Sequence, residues 1–254
     1  MISMHRFFLP GNPIQEMDLV FPTDIAHQIC RVLRMRIGEQ VVVLDGKGEE
    51  FEVELTQVDP GAVIGKVVSH HPARGEPSTR LSLYLGLTQR EKFEWMLQKC
   101  SEVGVVNFIP VISSRSLVQR ENDPVRRQIR WKKIVREAAE QSGRGIVPEV
   151  MPPMKLTDAF QAALAGNDLS MLLWEQEHSC SLNDALQGLI GVPSPGLALF
   201  VGPEGGFSTQ EVEAAQKMGI HAVTLGRRIL RMETAAILAP ALALMVLGEM
   251  GISK

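Results

Sequence analysis

Three short segments combine residue types able to hold a charged, partly apolar ligand: Leu173-Trp174-Glu175, FVGPEGGFS (200–208) and LGRRILRMETA (225–235). Glycines at 202, 205 and 206 let the backbone turn sharply and a ligand approach closely. A tight strand-to-helix turn with no ligand would have the same composition. The segment is not a phosphate-cradling P-loop, because no Gly-Lys-Ser/Thr follows it, and it does not read G-x-G-x-x-G. Glu204 would repel a pyrophosphate but could pair with a cation. Backbone amides, apolar side chains and a carboxylate suit a ligand with an adenine, a ribose and a positive charge. Metal chemistry finds little support. Cys30, Cys100 and Cys180 are too scattered for a zinc site or a disulfide framework, and Cys100 falls on an apolar helix face that reads as core. His70-His71 read as exposed linker residues with no partner at ligand spacing.

The surrounding pattern explains what would position these segments. The first seventy residues read as β-rich, with strands at 41–46, 49–55 and 62–68 and one helical spacing over 23–35. HHPARGEPSTR (70–80), with its prolines and glycine, reads as a linker, so a small domain is expected over 1–72, a linker over 73–80 and a larger domain over 81–254. From 81 onward, strands and helices alternate: LSLYLGL (81–87), a helix over 91–103 stopped by Gly104, then VNFIPVI (106–112), where Pro110 hints at an edge. Asp123-Pro124 opens a long helix closed by Gly143. Strands near 146–150, 169–174, 197–201 and 221–225 follow, separated by helices, the last of which starts with the capping box Ser208-Thr209-Gln210-Glu211. Such alternation means an α/β fold with a parallel sheet covered on both faces, and in an open parallel sheet ligands bind where strand ends lead into helices. All three segments lie at such ends.

The last helix, over 233–248, carries no charge from Thr234 to Gly248 and must be buried on all sides, within a core or across a subunit interface. The chain of 254 residues is 45% apolar with a formal net charge of −3, which excludes wholesale disorder and allows a large core without disulfides. The start, MISMHRFFLPGNP, lacks a signal-peptide apolar run, and no stretch reaches the roughly 18 apolar residues of a membrane span. A cytoplasmic location is expected. Charge is unevenly placed: residues 113–147 hold nine Lys/Arg against four acids. Such a stripe suits a polyanion, or simply a solvated helix face.

GPEGGFS together with LGRRILRMETA strongly resembles the carboxyl-terminal signature of the SPOUT-class RNA methyltransferases, and most closely the family that methylates N3 of a uridine in 16S ribosomal RNA. HRFF (5–8), HQICRVLRMRIGE (27–39), KFEWMLQKCSEVGV (92–105), RS (115–116) and REAAEQSGR (136–144) also resemble that family's blocks, in order. Arg227 stands where proline is common and Val103 where leucine is common. The resemblance implies a small PUA-like β-barrel RNA-binding domain, then an α/β domain with a deep trefoil knot that binds S-adenosylmethionine, without a metal, in a homodimer. It places Leu173, Trp174, Glu175, Val201, Gly202, Pro203, Glu204, Gly205, Gly206, Leu225, Gly226, Ile229, Leu230, Arg231 and Thr234 around the cofactor. Arg6, Arg31, Arg34, Arg36, Arg115, Arg120, Arg126, Arg127, Arg130 and Arg144 become candidate contacts to 16S rRNA or the small ribosomal subunit.

The resemblance also implies a mechanism. Uridine N3 carries an imide proton, so attack on a sulfonium methyl needs that proton removed or the anion stabilised. Arg231, with Arg228 behind it, is the candidate cation for the developing charge. Glu204 or Glu233 is the candidate proton acceptor, Glu233 being equally readable as a favourable charge at a helix start. Two other readings stay open: a ribose 2′-O-methyltransferase of the same fold, and a non-catalytic ribosome-assembly factor.

Overall fold

The structure is a computed structural model that describes residues 4–9, 18–116 and 124–251. It divides into two compact units, Met1–Glu76 with Ala139–Val147, and Pro77–Ala138 with Pro148–Lys254.

The first unit is a five-stranded sheet of β1 (Arg6–Phe8), β2 (Asp18–Val20), β3 (Gln40–Leu44), β4 (Glu49–Asp59) and β5 (Ala62–Pro72), ordered β1-β3-β4-β5-β2. Strand alternation divides its apolar residues between two clusters. Val41 and Val43 join Phe7, Ile25, Ile29 and Leu55 in one, while Val42 and Leu44 join Phe8 and Ala139 in the other. The helical spacing over 23–35 resolves into α1 (Thr23–His27) followed by a π-helical turn, Gln28–Leu33, closed by Arg34 in the left-handed conformation at φ 54°. Helix α1 buries Ile25 and Ala26, the widened turn still buries Ile29, and Arg31, Arg34 and Arg36 are left exposed.

His70 and His71 require a correction. They belong to β5 rather than to a linker, with Phe51 opposite His70 and Glu50 opposite His71. His70 stacks on Phe51 at 4.8 Å and lies 2.8 Å from Glu49, and His71 lies 3.2 Å from Glu50. The run of acids along β4 supplies cross-strand partners that hold the chain extended as far as Pro72.

In the second unit the strands are β6 (Arg80–Gly86), β7 (Asn107–Ile112), β8 (Glu149–Val150), β9 (Met154–Lys155), β10 (Leu169–Leu173), β11 (Gly196–Val201) and β12 (His221–Val223). The helices are α2 (Arg90–Val103), α3 (Pro124–Ser142), α4 (Leu156–Gly166), α5 (Leu182–Leu186), α6 (Thr209–Met218) and α7 (Met232–Val246). Every strand pair is parallel, in the order β12-β10-β11-β6-β7-β8 with β9 also on β7. Helices α4 and α6 share one apolar cluster with Tyr84, Phe160 and Phe200, whereas α2, α5 and α7 pack together, with α7 against β6 and β11. The central β11 is buried along its whole length, as a strand covered on both faces must be.

Pro110 is not at a sheet edge. It pairs with Leu85 on one side, and on the other it falls between Phe108, which pairs with β8, and Val111, which pairs with β9. The missing N–H therefore sits in the gap between two short strands, where no ladder bond is interrupted. Asp123, expected to cap α3, lies outside the described residues. The long apolar α7 buries Ala236, Ala239, Pro240, Ala243 and Leu244, but Leu238 and Met245 are exposed, so burial on all sides is not achieved within one chain. Among the described residues no helix is long and apolar enough to cross a membrane.

Candidate functional site

Where β10, β11 and β12 end, their loops enclose a cavity of about 510 Å³, inside the range of roughly 300–1,000 Å³ usual for small-molecule sites. All three segments singled out from the sequence line it. Leu173, Trp174 and Glu175 come from the β10 end, Val201 to Gly206 from the β11 end, and Leu225, Gly226, Ile229, Leu230 and Arg231 from the β12 end. Arg228 and Glu233 line it as well. Thr234 does not; it is exposed on α7.

The β11 loop owes its shape to close backbone approaches. Gly206 N–H donates to the Pro203 carbonyl at 2.8 Å, closing a tight turn, and Gly206 takes the left-handed φ of 66° that side chains rarely adopt. A Cβ on Gly202 would stand 3.1 Å from the Gly206 carbonyl carbon. Just beyond the turn, Ser208 and Glu211 form the expected capping box and start α6. The β12 loop turns at Gly226, whose N–H donates to Thr224 Oγ1 at 3.2 Å.

Glu204 accepts hydrogen bonds from the Thr88 hydroxyl and, at 3.3 Å, from Lys92 Nζ. Burial pushes its pKa up, but those donors and its own backbone N–H outweigh burial and hold the carboxyl below its ordinary range. Glu204 is therefore a fixed anion in the cavity wall. Trp174 Nε1 is buried without a hydrogen-bond partner, an orphaned donor beside the cavity. Arg231 is the N-cap residue of α7 and is exposed, with Glu233 in the first turn.

Sequence reasoning missed Lys92, Thr88 and Gly86. The signal existed: β6 also ends beside the other three strands, so the turn into α2 belonged with the other strand-end loops. A Cβ on Gly86 would lie 2.5 Å from the Pro203 nitrogen.

The basic residues separate into two groups. Arg144 must be removed from the RNA candidates. It is 1% exposed, with Nε and Nη2 donating to the half-buried Glu76 at 3.2 and 2.8 Å, and that pair holds the turn after α3. Arg6 is half-buried and bonded to Glu50. Arg115 donates to the Gly205 carbonyl at 2.8 Å. Arg130 makes a two-pronged contact to Glu94 at 2.6 and 2.7 Å, and Arg127 lies 5.2 Å above the Trp131 ring. Arg126, Lys132 and Lys133 are exposed on α3, as are Arg31, Arg34 and Arg36 in the first unit. Arg120 lies outside the described residues. No group of three or more His, Cys, Asp and Glu side chains among the described residues could hold a metal.

Comparison with known proteins bears on this geometry. Residues 75–244 match the family described as an RNA methyltransferase domain, and residues 21–68 match the RNA methyltransferase PUA domain. Ribosomal RNA small subunit methyltransferase E of Bacillus subtilis is 32% identical over 93% of this chain and 94% of its own. The enzyme of the same name from Synechocystis is 30% identical over 96% of this chain and 77% of its own. A Neisseria gonorrhoeae ribosomal RNA small subunit methyltransferase E, solved bound to S-adenosylmethionine, superposes with a TM-score of 0.83 at 31% identity, covering 96% of this chain and 98% of that one. With the matched family spanning the unit that holds the cavity, this chain belongs to the RNA methyltransferase family, among the proteins of the small subunit methyltransferase E type.

Proposed function

We propose that this protein transfers a methyl group from S-adenosylmethionine to N3 of a uridine in the decoding region of 16S rRNA, in the cytoplasm and as a homodimer. The observation that carries the reading is the meeting of three strand-end loops in one cavity, since those loops bear the sequence resemblance. The residues present fit the cofactor. Leu225, Leu230 and the orphaned Trp174 Nε1 offer an apolar slot with a free donor for a purine edge, and the Glu175 and Glu204 carboxylates complement a positive ligand. Bound there, S-adenosylmethionine supplies a sulfonium methyl open to displacement by a nucleophile. Arg231 stands at the wall and meets the charge that develops on the uridine oxygens when N3 attacks. Glu204 is committed to Thr88 and Lys92, which leaves Glu233 as the proton acceptor. Calorimetry should show one S-adenosylmethionine bound per chain; no binding heat would remove the cofactor from the account.

The small domain over residues 1–72, with its linker to 80, serves in this reading as the RNA-anchoring domain. A trefoil knot belongs to the same reading, supported by α7 leaving the outer strand β12 and returning to pack on α2 and β6. The partner copy covers the exposed apolar side of α7, where Leu238 and Met245 are 40% and 55% exposed. Light scattering at micromolar concentration should give twice the chain mass.

The α3 cluster and Arg31, Arg34 and Arg36 supply phosphate contacts. Arg126→Glu with Lys132→Glu, both at exposed positions of α3, is the test. RNA affinity should fall, and the slope of log affinity against log salt should shrink by roughly 0.7–0.9 for each phosphate no longer neutralised. An unchanged slope would make the stripe a solvated face.

A further inference from the structure

We propose that Arg115 is a positioning residue that braces the cofactor loop from outside the cavity, rather than a contact to RNA. This rests on the reading that the cavity takes S-adenosylmethionine. Arg115 does not line the cavity. Its Nη1 donates to the Gly205 carbonyl at 2.8 Å and reaches the Phe207 carbonyl at 3.5 Å, so one guanidinium grips both sides of Gly206. Hydrogen bonds from a charged donor are stronger than those between neutral groups.

The turn that carries Arg115 is itself fixed. Ser113 N–H donates to Ser116 Oγ at 3.0 Å, and both serines are buried. Ser114 N–H donates to Glu211 Oε1 at 2.8 Å, while Glu211 Oε2 accepts Ser208 N–H at 2.8 Å. The same carboxylate thus caps α6 and ties that helix start to the turn after β7. Arg115 and Glu211 form two crossbars between that turn and the C-terminal side of the glycine loop, from Gly205 to Ser208.

This arrangement assigns Gly205 a reason for being glycine that differs from its neighbours'. A Cβ on Gly202 would meet Gly206 and Phe207, and one on Gly206 would meet the Glu175 carboxylate. The nearest atoms a Cβ on Gly205 would meet belong to Arg115, at 3.3 Å from its Cβ and 3.4 Å from its Cδ. Gly205 makes room for the arginine stem. A loop held in its bound shape before the ligand arrives binds more tightly, because less ordering is left to be done.

The test compares Arg115→Ala, Arg115→Lys, Gly205→Ala and the Arg115→Ala/Gly205→Ala double variant. Arg115→Ala should raise the dissociation constant for S-adenosylmethionine roughly 10- to 100-fold, the loss expected for one charged hydrogen bond. Affinity for 16S rRNA and its salt slope should not change. Arg115→Lys should recover part of the loss, since it restores the cation without the planar fork. Gly205→Ala should also weaken cofactor binding, yet add little to Arg115→Ala, because the brace it displaces is already gone. Amide exchange over 202–208 without cofactor should be faster in Arg115→Ala than in wild type. Faster exchange in a protein whose wild type binds no S-adenosylmethionine would keep the brace and remove the cofactor reading. Unchanged exchange with unchanged cofactor affinity would overturn the brace, as would lost RNA affinity with a shallower salt slope. Fully additive losses in the double variant would return Gly205 to the ligand.

Discussion

Replacing Arg231 with alanine should lower the single-turnover rate of methyl transfer by roughly 10²- to 10³-fold, the usual consequence of losing one preorganised charge stabiliser. Affinity for cofactor and for RNA should change far less. Arg231 lines the cavity as the N-cap residue of α7, and its side chain is not the cap, so removing it leaves the helix start intact. Arg231→Lys should restore only part of the rate, because a point charge lacks the guanidinium fork. Raising the pH should partly rescue the alanine variant, since more uridine is then ionised without help. A variant that weakens RNA binding but keeps its single-turnover rate at saturation would make Arg231 a positioning residue.

Gly86→Ala should be nearly as damaging, through a different route. The new methyl would stand 2.5 Å from the Pro203 nitrogen, 2.7 Å from its Cδ and 2.9 Å from the Gly202 carbonyl carbon. These are backbone and ring atoms that cannot rotate away, so the β11 loop must move. Overpacking of this kind costs about 1–3 kcal/mol of stability. Cofactor affinity should fall by a larger factor, because the displaced atoms form the cavity wall. Gly219→Ala is the control: its φ of 99° strains any side chain, its surroundings are open, and it ends α6 away from the cavity. It should destabilise while sparing cofactor binding. Wild-type affinity in Gly86→Ala would show that the loop tolerates displacement.

Strand-helix alternation and glycine punctuation made most of the cavity legible. Leu173, Gly202 and Leu225 were found because strand ends in a parallel sheet gather at one edge, a rule that needs only element order. The same rule, applied to β6, would have found Thr88 and Lys92. Thr234 was carried along by a motif that continues past the loop, whereas the helical turn takes that residue out of the wall. Arginines were the weakest point. Nothing near Arg144 in sequence announces Glu76, 68 residues away, and nothing near Arg6 announces Glu50, 44 residues away. Charge runs show where cations are dense, not which ones a fold has already used. His70 and His71 failed for a related reason: a proline after them read as a linker, while the acids that keep them in a strand lie across the sheet. The π-turn in the first unit escaped because thirteen residues of apolar spacing cannot separate its wider period from that of an α-helix.

The most direct measurement is the mass-spectrometric position of the methyl group after incubating the purified protein with S-adenosylmethionine and unmodified 16S rRNA or small subunits. The account predicts a single uridine carrying its methyl on the base at N3, in wild type but not in Arg231→Ala at short times. A methyl on a ribose 2′ oxygen, or no transfer despite cofactor and RNA binding, would contradict it.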